Sequence, residues 1–482
     1  MNEKQKFKER NEMSERYPNI ILINCDDLGY GDLGCYGSKV NKTPCLDKMA
    51  QEGMRFTDYH VMSPVCSASR AAMLTGCYPQ RVGIDGVLFP GDPIGLHPDE
   101  ITIADILKKQ GYSTKIVGKW HVGDQPDFFP TNHGFDEYYG LPYSNDMGIQ
   151  GKKVNYHKRF PLPLMRNEEV IQEQPDQRGL TERYTEECVR FIRDKKESPF
   201  FLYLSHMYVH TPLFVPPRFL RQSENGPYGG AVECIDWVSG VIFDELRELG
   251  LDDDTMVLFT SDNGSNSKHG GSNLPLRGGK MTTWEGGQRV PLIVRWPGKV
   301  PAGNVCDELT TAMDLLPTFA KLASTEEPQD RTIDGKDISS LIMGKDEASS
   351  PHDVFYYYRC HNLEAVRVGD WKLRISEGKI FSKGEEIPLE LYHLKEDLAE
   401  TNNVVDSYPD IVKKILVEVE KTRKDLGDLV SGVEGKGIRK VGYNENAKPM
   451  TEYDLTHPYI VAAYDTPDTM ILGGVKNLTE EG

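Results

Sequence analysis

Several short apolar runs that end abruptly in polar residues constrain the fold of this chain most strongly. The first covers residues 19–24, sequence NIILIN, and is followed by Cys25, Asp26 and Asp27. A short β-branched run without polar alternation is typical of a strand that is covered on both faces, as in a parallel sheet. Further strands are predicted on similar grounds at residues 113–117, 200–204, 255–260 and 290–296.

Helices are predicted between these strands. Thr43 is a good N-cap, Pro44 suits a first turn and Gly53 suits the residue after a last turn, so one helix is expected there. A second helix begins at the segment 102–105, which resembles a capping box, and a third covers 231–249, where apolar residues recur at helical spacing. Strands that alternate with helices predict an α/β fold.

The organisation changes near residues 324–352, a polar and loop-rich stretch. Beyond it a helix is predicted at 409–426, after four strands at 353–359, 363–368, 371–376 and 388–394. Successive strands followed by a helix indicate a small α+β unit on an antiparallel sheet. The predicted division is a charged tail at 1–18, a main domain at 19–350, a C-terminal subdomain at 351–430 and an extension at 431–482 with an apolar patch at 459–464.

Composition limits the partners and the compartment. The 56 Lys+Arg against 74 Asp+Glu give a net charge of −18, which argues against a nucleic acid partner but allows a local basic pocket. The nine cysteines show no Cys-x-x-Cys spacing, so zinc is not expected, and their odd number fits reduced thiols without excluding disulfides. Residues 1–18 lack the apolar core of a secretory signal, and no apolar run reaches membrane-spanning length. We expect no membrane partner and a cytoplasmic protein, or a periplasmic or secreted one if a leader was removed.

Two acidic clusters follow predicted strands. Asp26 and Asp27 come after the first strand, and Asp262 and Asn263 come after the fourth. Open α/β sheets bind ligands at the carboxyl ends of their strands, and acids crowded there repel one another without a cation. Oxygen donors select a hard ion, and Ca²⁺ tolerates irregular carboxylate geometry better than Mg²⁺. Each cluster alone could cap a turn, but their common placement favours one joint site for Ca²⁺, with Mg²⁺ as the alternative.

A cysteine and an arginine stand one helical turn apart in the segment 63–76, SPVCSASRAAMLTG. Helix-forming residues follow, so Cys66 is predicted at or near a helix N-terminus. Backbone N–H groups and the helix dipole there favour an anion, and Arg70 can present its guanidinium on the same face. Taken alone, this spacing more often marks a structural cysteine at the start of a core helix.

Further cationic and proton-transferring side chains follow predicted strands. Lys119 and His121 come after the second strand, His210 comes after the third, and Lys280 lies in a glycine-rich loop. Gathered with Arg70 around one metal ion, they would make an anion cage with acid–base groups.

These segments resemble, in order, the motifs of one enzyme family. The segment 66–76, CSASRAAMLTG, is similar to the modification motif of type I sulfatases. The other similar motifs are DDLGYGD at 26–32, GKWH at 118–121, HTP at 210–212, SDNG at 261–264, GK…EGG at 279–287 and LYHL…ETNN at 391–403. No single motif is decisive, but the ordered set is specific. The chain therefore resembles the type I, formylglycine-dependent sulfatases of the alkaline phosphatase superfamily.

The resemblance implies a fold and a cofactor. The fold would be an alkaline-phosphatase-like α/β one, with a mixed, mostly parallel sheet flanked by helices and a smaller C-terminal α+β subdomain, so that residues 19–350 form the catalytic domain. Cys66 would be oxidised after synthesis to formylglycine, which hydrates to a geminal diol. By matching motif, Asp26, Asp27, Asp262 and Asn263 would bind Ca²⁺ together with residue 66.

The same resemblance implies roles for the cationic residues. One oxygen of the diol would attack sulfur while Arg70 holds the diol in place and Lys119 holds the sulfate and the diol. His210 and Lys280 would face the leaving-group oxygen and the sulfate, with His210 as general acid. His121 would then take a proton from the second hydroxyl, which expels sulfate and regenerates the aldehyde.

The substrate is expected to be a sulfated carbohydrate, because the missing export signal fits an enzyme that acts on imported mono- or oligosaccharides. Ser144 matches a family serine near the sulfate. Trp284, Arg359 and His361 are proposed to recognise the sugar, since the metal and the sulfate do not need them. Their alternative interpretation is as ordinary surface or interface residues.

The modification motif departs from the family at one position. The family usually has proline two residues after the cysteine, where this chain has Ala68. In bacteria, alanine often accompanies the oxygen-independent radical-SAM maturase, so we expect a formylglycine-generating maturase as a partner and an anaerobic bacterial source. The predicted function is a sulfuric ester hydrolase. The alternatives are a phosphonate monoester or phosphodiester hydrolase of the same superfamily and a non-catalytic sulfoglycan-binding protein in which Cys66 stays unmodified.

Overall fold

The computed structural model describes residues 17–149, 160–378 and 382–459. The strands in this part of the chain are β1 (Asn19–Cys25), β2 (Met54–Phe56), β3 (Tyr59–His60), β4 (Ile94–Gly95), β5 (Ser113–Lys119), β6 (Glu137–Leu141), β7 (Pro163–Arg166), β8 (Glu169–Glu173), β9 (Phe200–Ser205), β10 (Thr255–Ser261), β11 (Leu292–Arg295), β12 (Asn304–Cys306), β13 (Thr310–Thr311), β14 (Val354–Arg359), β15 (Asn362–Val368), β16 (Trp371–Glu377), β17 (Glu385–His393) and β18 (Gly442–Tyr443).

The α-helices of the same residues are α1 (Pro44–Glu52), α2 (Cys66–Thr75), α3 (Ile103–Lys109), α4 (Leu180–Lys195), α5 (Pro217–Gln222), α6 (Gly226–Glu248), α7 (Glu285–Gln288), α8 (Leu315–Leu322), α9 (Ser339–Ile342) and α10 (Pro409–Leu426). α6 begins five residues before the predicted start at 231, because Asn225 and Pro227 provide a start at Gly226.

One ten-stranded sheet dominates the fold, in the order β12-β2-β11-β10-β1-β9-β5-β6-β7-β8. Its five central strands, from β10 to β6, run parallel, whereas β11 and β2 on one side and β7 and β8 on the other add antiparallel pairings. The predicted α/β class with a mixed, mostly parallel sheet is therefore confirmed.

The core lies on both faces of this sheet. In β1, Ile20 and Leu22 pack into one buried cluster with side chains of α2, α3 and α8, and Ile21 and Ile23 pack into a second cluster with side chains of α1, α4 and α6. All four side chains are completely buried, and each such burial is worth roughly 1.5–3 kcal/mol. This double coverage is the reason that the strand carries no polar alternation.

The register aligns the ends of the parallel strands. Cys25 in β1 pairs with Ser261 in β10, Asn24 pairs with Ser205 in β9, and Ser205 pairs with Gly118 in β5. The residues that follow these strands therefore emerge at one edge of the sheet.

A separate four-stranded antiparallel sheet, β14-β15-β16-β17, follows in the C-terminal part of the chain. Helix α10 buries Val412, Ile415, Val419 and Leu426 against it. The predicted antiparallel sheet with one helix is confirmed, although β17 begins at Glu385 rather than 388. The exact boundaries between the domains stay predictions.

Part of the C-terminal extension lies against the main domain. β18 pairs antiparallel with β4, so the chain returns to the region around residue 94. The tail up to residue 16 and the apolar patch beyond Tyr459 lie outside the described residues. None of the described helices has the length and apolar character needed to cross a membrane. None of the nine cysteines, which all fall in described ranges, forms a disulfide.

Candidate active site

The strand-end acids meet at the aligned edge of the sheet. Asp26 and Asp27 follow β1, and Asp262 and Asn263 follow β10; all four are buried. The amide N–H of Asp27 donates to Asp262 Oδ1 at 3.2 Å, and Asn263 Nδ2 donates to Asp27 Oδ1 at 2.7 Å. Asp27 has a φ of 64°, a left-handed conformation that aspartate tolerates better than most residues. The two predicted clusters therefore form one.

The oxygen atoms of this cluster fit a hard cation. Asp26 Oδ1 and Asn263 Oδ1 are buried and have no hydrogen-bond partner among the described residues. Leaving such an atom unsatisfied costs about 1–3 kcal/mol, which a bound cation would offset. One ligand atom from each of Asp26, Asp27, Cys66 and His210 lies within 4.8 Å of the others. The donors of the cluster are mainly oxygens, the type that Ca²⁺ and Mg²⁺ take.

Protonation at this site depends on the balance of charges. Burial, followed by the charge of Asp26, raises the pKa of Asp262 to about 7. Burial acts on Asp26 in the same direction, but the charges of Lys119, His210 and Arg70 together outweigh it and hold the pKa of Asp26 well below its usual range. One carboxylate is thus firmly ionised, and its neighbour ionises near neutral pH.

Three cations hold these carboxylates. Lys119 Nζ lies 2.5 Å from Asp26 Oδ2, and Lys280 Nζ lies 2.7 Å from Asp27 Oδ2. Arg70 Nε and Nη2 both lie 2.8 Å from Asp262 Oδ2. Lys119 and Arg70 are completely buried. The three cations that were predicted to gather at the acids therefore lie beside them as direct ion pairs, and their role as an anion cage stays a prediction.

Arg70 is fixed more tightly than the spacing predicts. Its Nη1 also donates to the carbonyl of Lys119 at 3.2 Å and to Ser205 Oγ at 2.5 Å. Ser205 is the last residue of β9, at the same sheet edge as the acids, which is the signal that could have found it. Gly118 makes this closeness of β5 and β9 achievable, because its φ is 109° and a Cβ there would lie 1.8 Å from the Ser205 carbonyl oxygen.

Cys66 is the first residue of α2, and its N-cap residue, Val65, makes no side-chain cap. The side chain is 2% exposed. Burial raises the pKa of the Cys66 thiol to about 12, although Lys119 and Lys280 act in the opposite direction. As an unmodified cysteine, this residue is a neutral thiol at pH 7 and hence a poor nucleophile.

The two histidines differ in how their ring nitrogens are used. His121 Nε2 lies 3.0 Å from the carbonyl oxygen of Leu88, which can only accept, so Nε2 carries the proton. Its Nδ1 is buried and has no hydrogen-bond partner among the described residues, which leaves a lone pair to accept a proton. Burial, followed by the charge of Lys119, lowers the pKa of His121 far below its usual value, so the ring is neutral. His210 Nε2 lies 3.8 Å from Asp27 Oδ2, beyond hydrogen-bond distance.

A cavity of about 60 Å³ borders part of this cluster. Asp27, His210 and Lys280 are among the residues that line it. Asp146 and His269 also line it, and neither was predicted from the sequence. Asp146 could have been found, because it follows β6, another parallel strand that ends at this edge. His269 lies in the loop beyond Asn263, for which the sequence offers no local signal.

The four residues that were predicted to bind substrate do not line this cavity. Ser144 is buried just before the short turn that carries Asp146. Arg359 pairs with Glu364 at 3.1 Å, and His361 Nδ1 lies 2.5 Å from Asp85 Oδ2. Their assignment to the substrate stays a prediction.

Trp284, the fourth of these residues, is covered on both faces of its ring. The guanidinium carbons of Arg277 and Arg374 each lie 3.6 Å from the ring centroid. The indole therefore lies between the main domain and the C-terminal sheet, and its role toward a sugar also stays a prediction.

A second acidic cluster lies close by but is already neutralised. Asp58, His60 and Glu285 bring three potential ligand atoms within 4.8 Å of one another. Arg367 holds both oxygens of Asp58, at 2.9 and 2.8 Å, and Lys372 lies 3.0 Å from Glu285 Oε1. No oxygen of Asp58 or Glu285 is left without a partner, in contrast to Asp26 Oδ1 and Asn263 Oδ1, so this second cluster does not call for a metal ion.

Fold and site together define an α/β protein in which buried cations and carboxylates meet at the carboxyl edge of the central sheet. A family model described as "Sulfatase" matches residues 18–325, and one described as "N-sulphoglucosamine sulphohydrolase, C-terminal" matches residues 279–425. The chain belongs to the sulfatase family, and it is a sulfatase, an enzyme that hydrolyses sulfate esters.

Characterised relatives and solved structures agree with this assignment. The chain is 39% identical to human steryl-sulfatase over 429 residues, which cover 73% of each chain. It is 40% identical to the N-acetylgalactosamine-6-sulfatase of the dog over 385 residues, 74% of this chain and 71% of that protein. The structure of Ps i-CgsB in complex with k-i-k-neocarrahexaose matches with a TM-score of 0.74 and 32% identity, and it covers 84% of this chain and 92% of that one.

Proposed function

We propose that this sulfatase removes sulfate from a sulfated mono- or oligosaccharide, with residue 66 in the form of formylglycine and with Ca²⁺ bound by the acidic cluster. The single observation that carries the proposal is the grouping around Cys66 of two carboxylates and His210, with the charges of Lys119, Lys280 and Arg70 acting on the same residue. An unmodified Cys66 is a neutral thiol in this environment, so without modification the site would lack a nucleophile.

The acidic cluster would hold the metal through Asp26, Asp27, Asp262 and Asn263 together with residue 66. A divalent ion there supplies Lewis-acid stabilisation of negative charge and lowers the pKa of a hydroxyl close to it. A hydrated aldehyde at residue 66 supplies an oxygen nucleophile and, through its second hydroxyl, a route to release of the sulfate.

The side chains of the chain itself account for binding and proton transfer. Lys119 and Lys280 present ammonium groups that would hold the sulfate oxygens in a site from which bulk water is excluded. His121 would accept a proton at Nδ1, because its Nε2 is committed to Leu88. His210 lines the cavity and would donate a proton to the departing oxygen. Arg70 holds Asp262, and we propose that it orients both the metal site and residue 66.

A polyhydroxylated alcohol suits the cavity better than a flat apolar one. Beside Val209, Tyr228 and Met281, its lining includes Asp146, Thr211, Asn266 and His269, side chains that can exchange hydrogen bonds with sugar hydroxyls. Two of the similar proteins also point to carbohydrate by their names, the N-acetylgalactosamine-6-sulfatase and the protein in complex with a neocarrahexaose. The similarity to steryl-sulfatase makes a steryl sulfate the natural comparison substrate.

A panel of defined esters tests the proposal. The enzyme, co-produced with a formylglycine-generating maturase, is assayed on sulfated monosaccharides including N-acetylgalactosamine 6-sulfate, on a steryl sulfate, on para-nitrophenyl sulfate and on a phenyl phosphonate monoester. We expect the highest kcat/KM on a sugar sulfate. Cys66→Ala is the matched control and should be inactive on every ester. A higher kcat/KM on the steryl sulfate would contradict the carbohydrate assignment.

The two alternatives give different results in the same panel. A phosphonate or phosphodiester hydrolase would prefer the phosphonate ester. Only a preference above about tenfold decides the question, because a tenfold preference corresponds to just about 1.4 kcal/mol of transition-state stabilisation. A sulfoglycan-binding protein would turn over none of the esters and would retain Cys66. Ala68 further leads us to propose a radical-SAM maturase, so co-production with that class of maturase should give the larger active fraction.

A further inference from the structure

One short segment of the main domain, residues 283–285, receives a side chain from every strand of the C-terminal sheet. Tyr357 of β14 donates its hydroxyl to Glu285 Oε1 at 2.7 Å. Glu364 of β15 accepts from Thr283 Oγ1 at 2.5 Å. Lys372 of β16 lies 2.8 Å from the Thr283 carbonyl oxygen and 3.0 Å from Glu285 Oε1. The remaining strand, β17, places the ring of Tyr392 edge-on to Trp284, with 5.9 Å between the ring centroids.

Glu400, from the turn after β17, completes this attachment. Its Oε2 accepts from the backbone N–H of Glu285 at 2.7 Å, and its Oε1 lies 2.7 Å from Lys372 Nζ. Its backbone carbonyl accepts from Arg277 Nη1 at 2.8 Å. The C-terminal subdomain therefore holds the segment from residue 277 to residue 285 at both of its ends.

The segment held in this way carries Lys280. The backbone N–H of Lys280 donates to the Ser265 carbonyl at 3.1 Å, and that of Met281 donates to the Pro64 carbonyl at 3.0 Å. Pro64 is two residues before Cys66, and Ser265 is two residues after Asn263. The loop thus connects the metal cluster, the residue 66 loop and the C-terminal sheet, so a shift at residues 283–285 would move the Lys280 ammonium group.

The charges at the attachment depend on Lys372. Lys372, Glu285 and Glu400 are completely buried, and the lysine lies between the two carboxylates. Burial raises the pKa of Glu400, and Lys372 opposes that effect. Without Lys372 the two glutamates would face each other in a buried site, and breaking a buried pair in this way is strongly destabilising.

We propose that Lys372 and Glu400 are positioning residues that hold the 277–287 loop so that Lys280 meets the sulfate group. The C-terminal subdomain thereby helps to hold the sulfate, although none of its described residues lines the cavity. The inference rests on the proposed function only in that Lys280 binds the transferred group. Neither residue touches the cavity, so each acts through Lys280.

The test uses variants of the full-length, matured enzyme. Lys372→Met combined with Glu400→Gln removes one positive and one negative charge together, which keeps the buried charge balance. Glu400→Gln alone keeps the shape of the side chain and an acceptor for the Glu285 N–H, so it should fold even if the combined variant does not. Arg81→Met is the matched control, because Arg81 joins Asp334 to Asp425 of α10 at 2.7 Å without touching the loop.

The readouts are kcat/KM on para-nitrophenyl sulfate, the inhibition constant of inorganic sulfate and the thermal midpoint. Misplacing a catalytic group by about 1 Å costs up to about a hundredfold in rate, so we expect a loss of about tenfold to a hundredfold in kcat/KM for the combined variant. The inhibition constant of sulfate should rise by a similar factor, and Glu400→Gln should show a smaller change in the same direction. In a Lys280→Ala background the combined change should cause no further loss.

A purely structural role would lower the thermal midpoint and leave kcat/KM and sulfate inhibition of the folded enzyme as in Arg81→Met. That result, or a full additional loss in the Lys280→Ala background, would overturn the proposal. Failure of the proposed function has a different signature, because the unaltered enzyme would then prefer the steryl sulfate or the phosphonate ester. In that case the same variants are compared on the preferred ester, with inorganic sulfate as the inhibitor for the first and inorganic phosphate for the second.

Discussion

His210→Ala should separate two kinds of sulfate ester. His210 lines the cavity and is 7% exposed. Its Nε2 is 3.8 Å from the nearest carboxylate oxygen of Asp27, and its Nδ1 has no hydrogen-bond partner within the described ranges. The ring proton is therefore not committed to a protein acceptor and can be given to a departing oxygen.

The size of the effect follows from the leaving group. A sugar alkoxide needs a proton as it leaves, and a positioned general acid contributes about 10²–10⁴-fold, or about 2.7–5.4 kcal/mol. Para-nitrophenolate leaves without a proton. We therefore expect His210→Ala to lower kcat/KM on the preferred sugar sulfate by about 10²–10⁴-fold and on para-nitrophenyl sulfate by less than about tenfold.

Lys280→Ala is the matched control for this measurement. Lys280 contacts the same carboxylate, at 2.7 Å from Asp27 Oδ2, but it would hold the sulfate group that both substrates share. Its removal should therefore lower kcat/KM on both esters by similar factors. Equal losses on both esters for His210→Ala would refute the general-acid role.

Three further predictions concern the metal site and the strands that support it. Arg70→Met breaks a buried ion pair with Asp262 and should lower the free energy of unfolding by about 3–5 kcal/mol, partly recovered by Ca²⁺; a denaturant midpoint equal to that of the exposed-pair control Arg247→Met would contradict this. Because burial and the charge of Asp26 raise the pKa of the Asp262 carboxyl, Ca²⁺ must displace a proton from it at low pH; calorimetry should show that Ca²⁺ affinity weakens as the pH falls below neutral, and a flat profile would count against the carboxylate as a ligand. Gly118→Ala places a Cβ against the Ser205 carbonyl at positive φ and should cost at least about 1–3 kcal/mol of stability, whereas an unchanged thermal midpoint would show that β5 and β9 can separate without penalty.

The sequence predicts the centre of the sheet well because a strand that is buried on both faces contains a continuous apolar run. β1 is apolar at residues 20–23 and β10 at residues 256–259, and their acids follow at the same end. The segment Glu137–Leu141, EYYGL, lacks such a run, since its tyrosines and Gly140 are not β-branched. Helix α4 was also missed, although its buried Leu180, Tyr184 and Cys188 recur at the four-residue spacing of an amphipathic helix.

Some residues of the site can likewise be predicted from the sequence, and others cannot. Residues at the ends of buried strands, such as Asp262 and Lys119, can be located from the sequence, because the strands that carry them to the sheet edge are recognisable. Residues in long loops cannot, since their position depends on partners far away in the chain. His361 illustrates this point, because its ring is oriented by Asp85, which lies 276 residues away in sequence.

The central claim is that the active form of this sulfatase carries formylglycine at residue 66. The most direct measurement is mass spectrometry of the tryptic peptide 56–70 from enzyme made with a maturase, alongside active-enzyme titration of the same preparations. The account predicts a peptide in which the thiol of Cys66 is replaced by an aldehyde or its hydrate, in a fraction that rises in proportion to the active fraction. Fully active enzyme whose peptide contains only unmodified cysteine would contradict it.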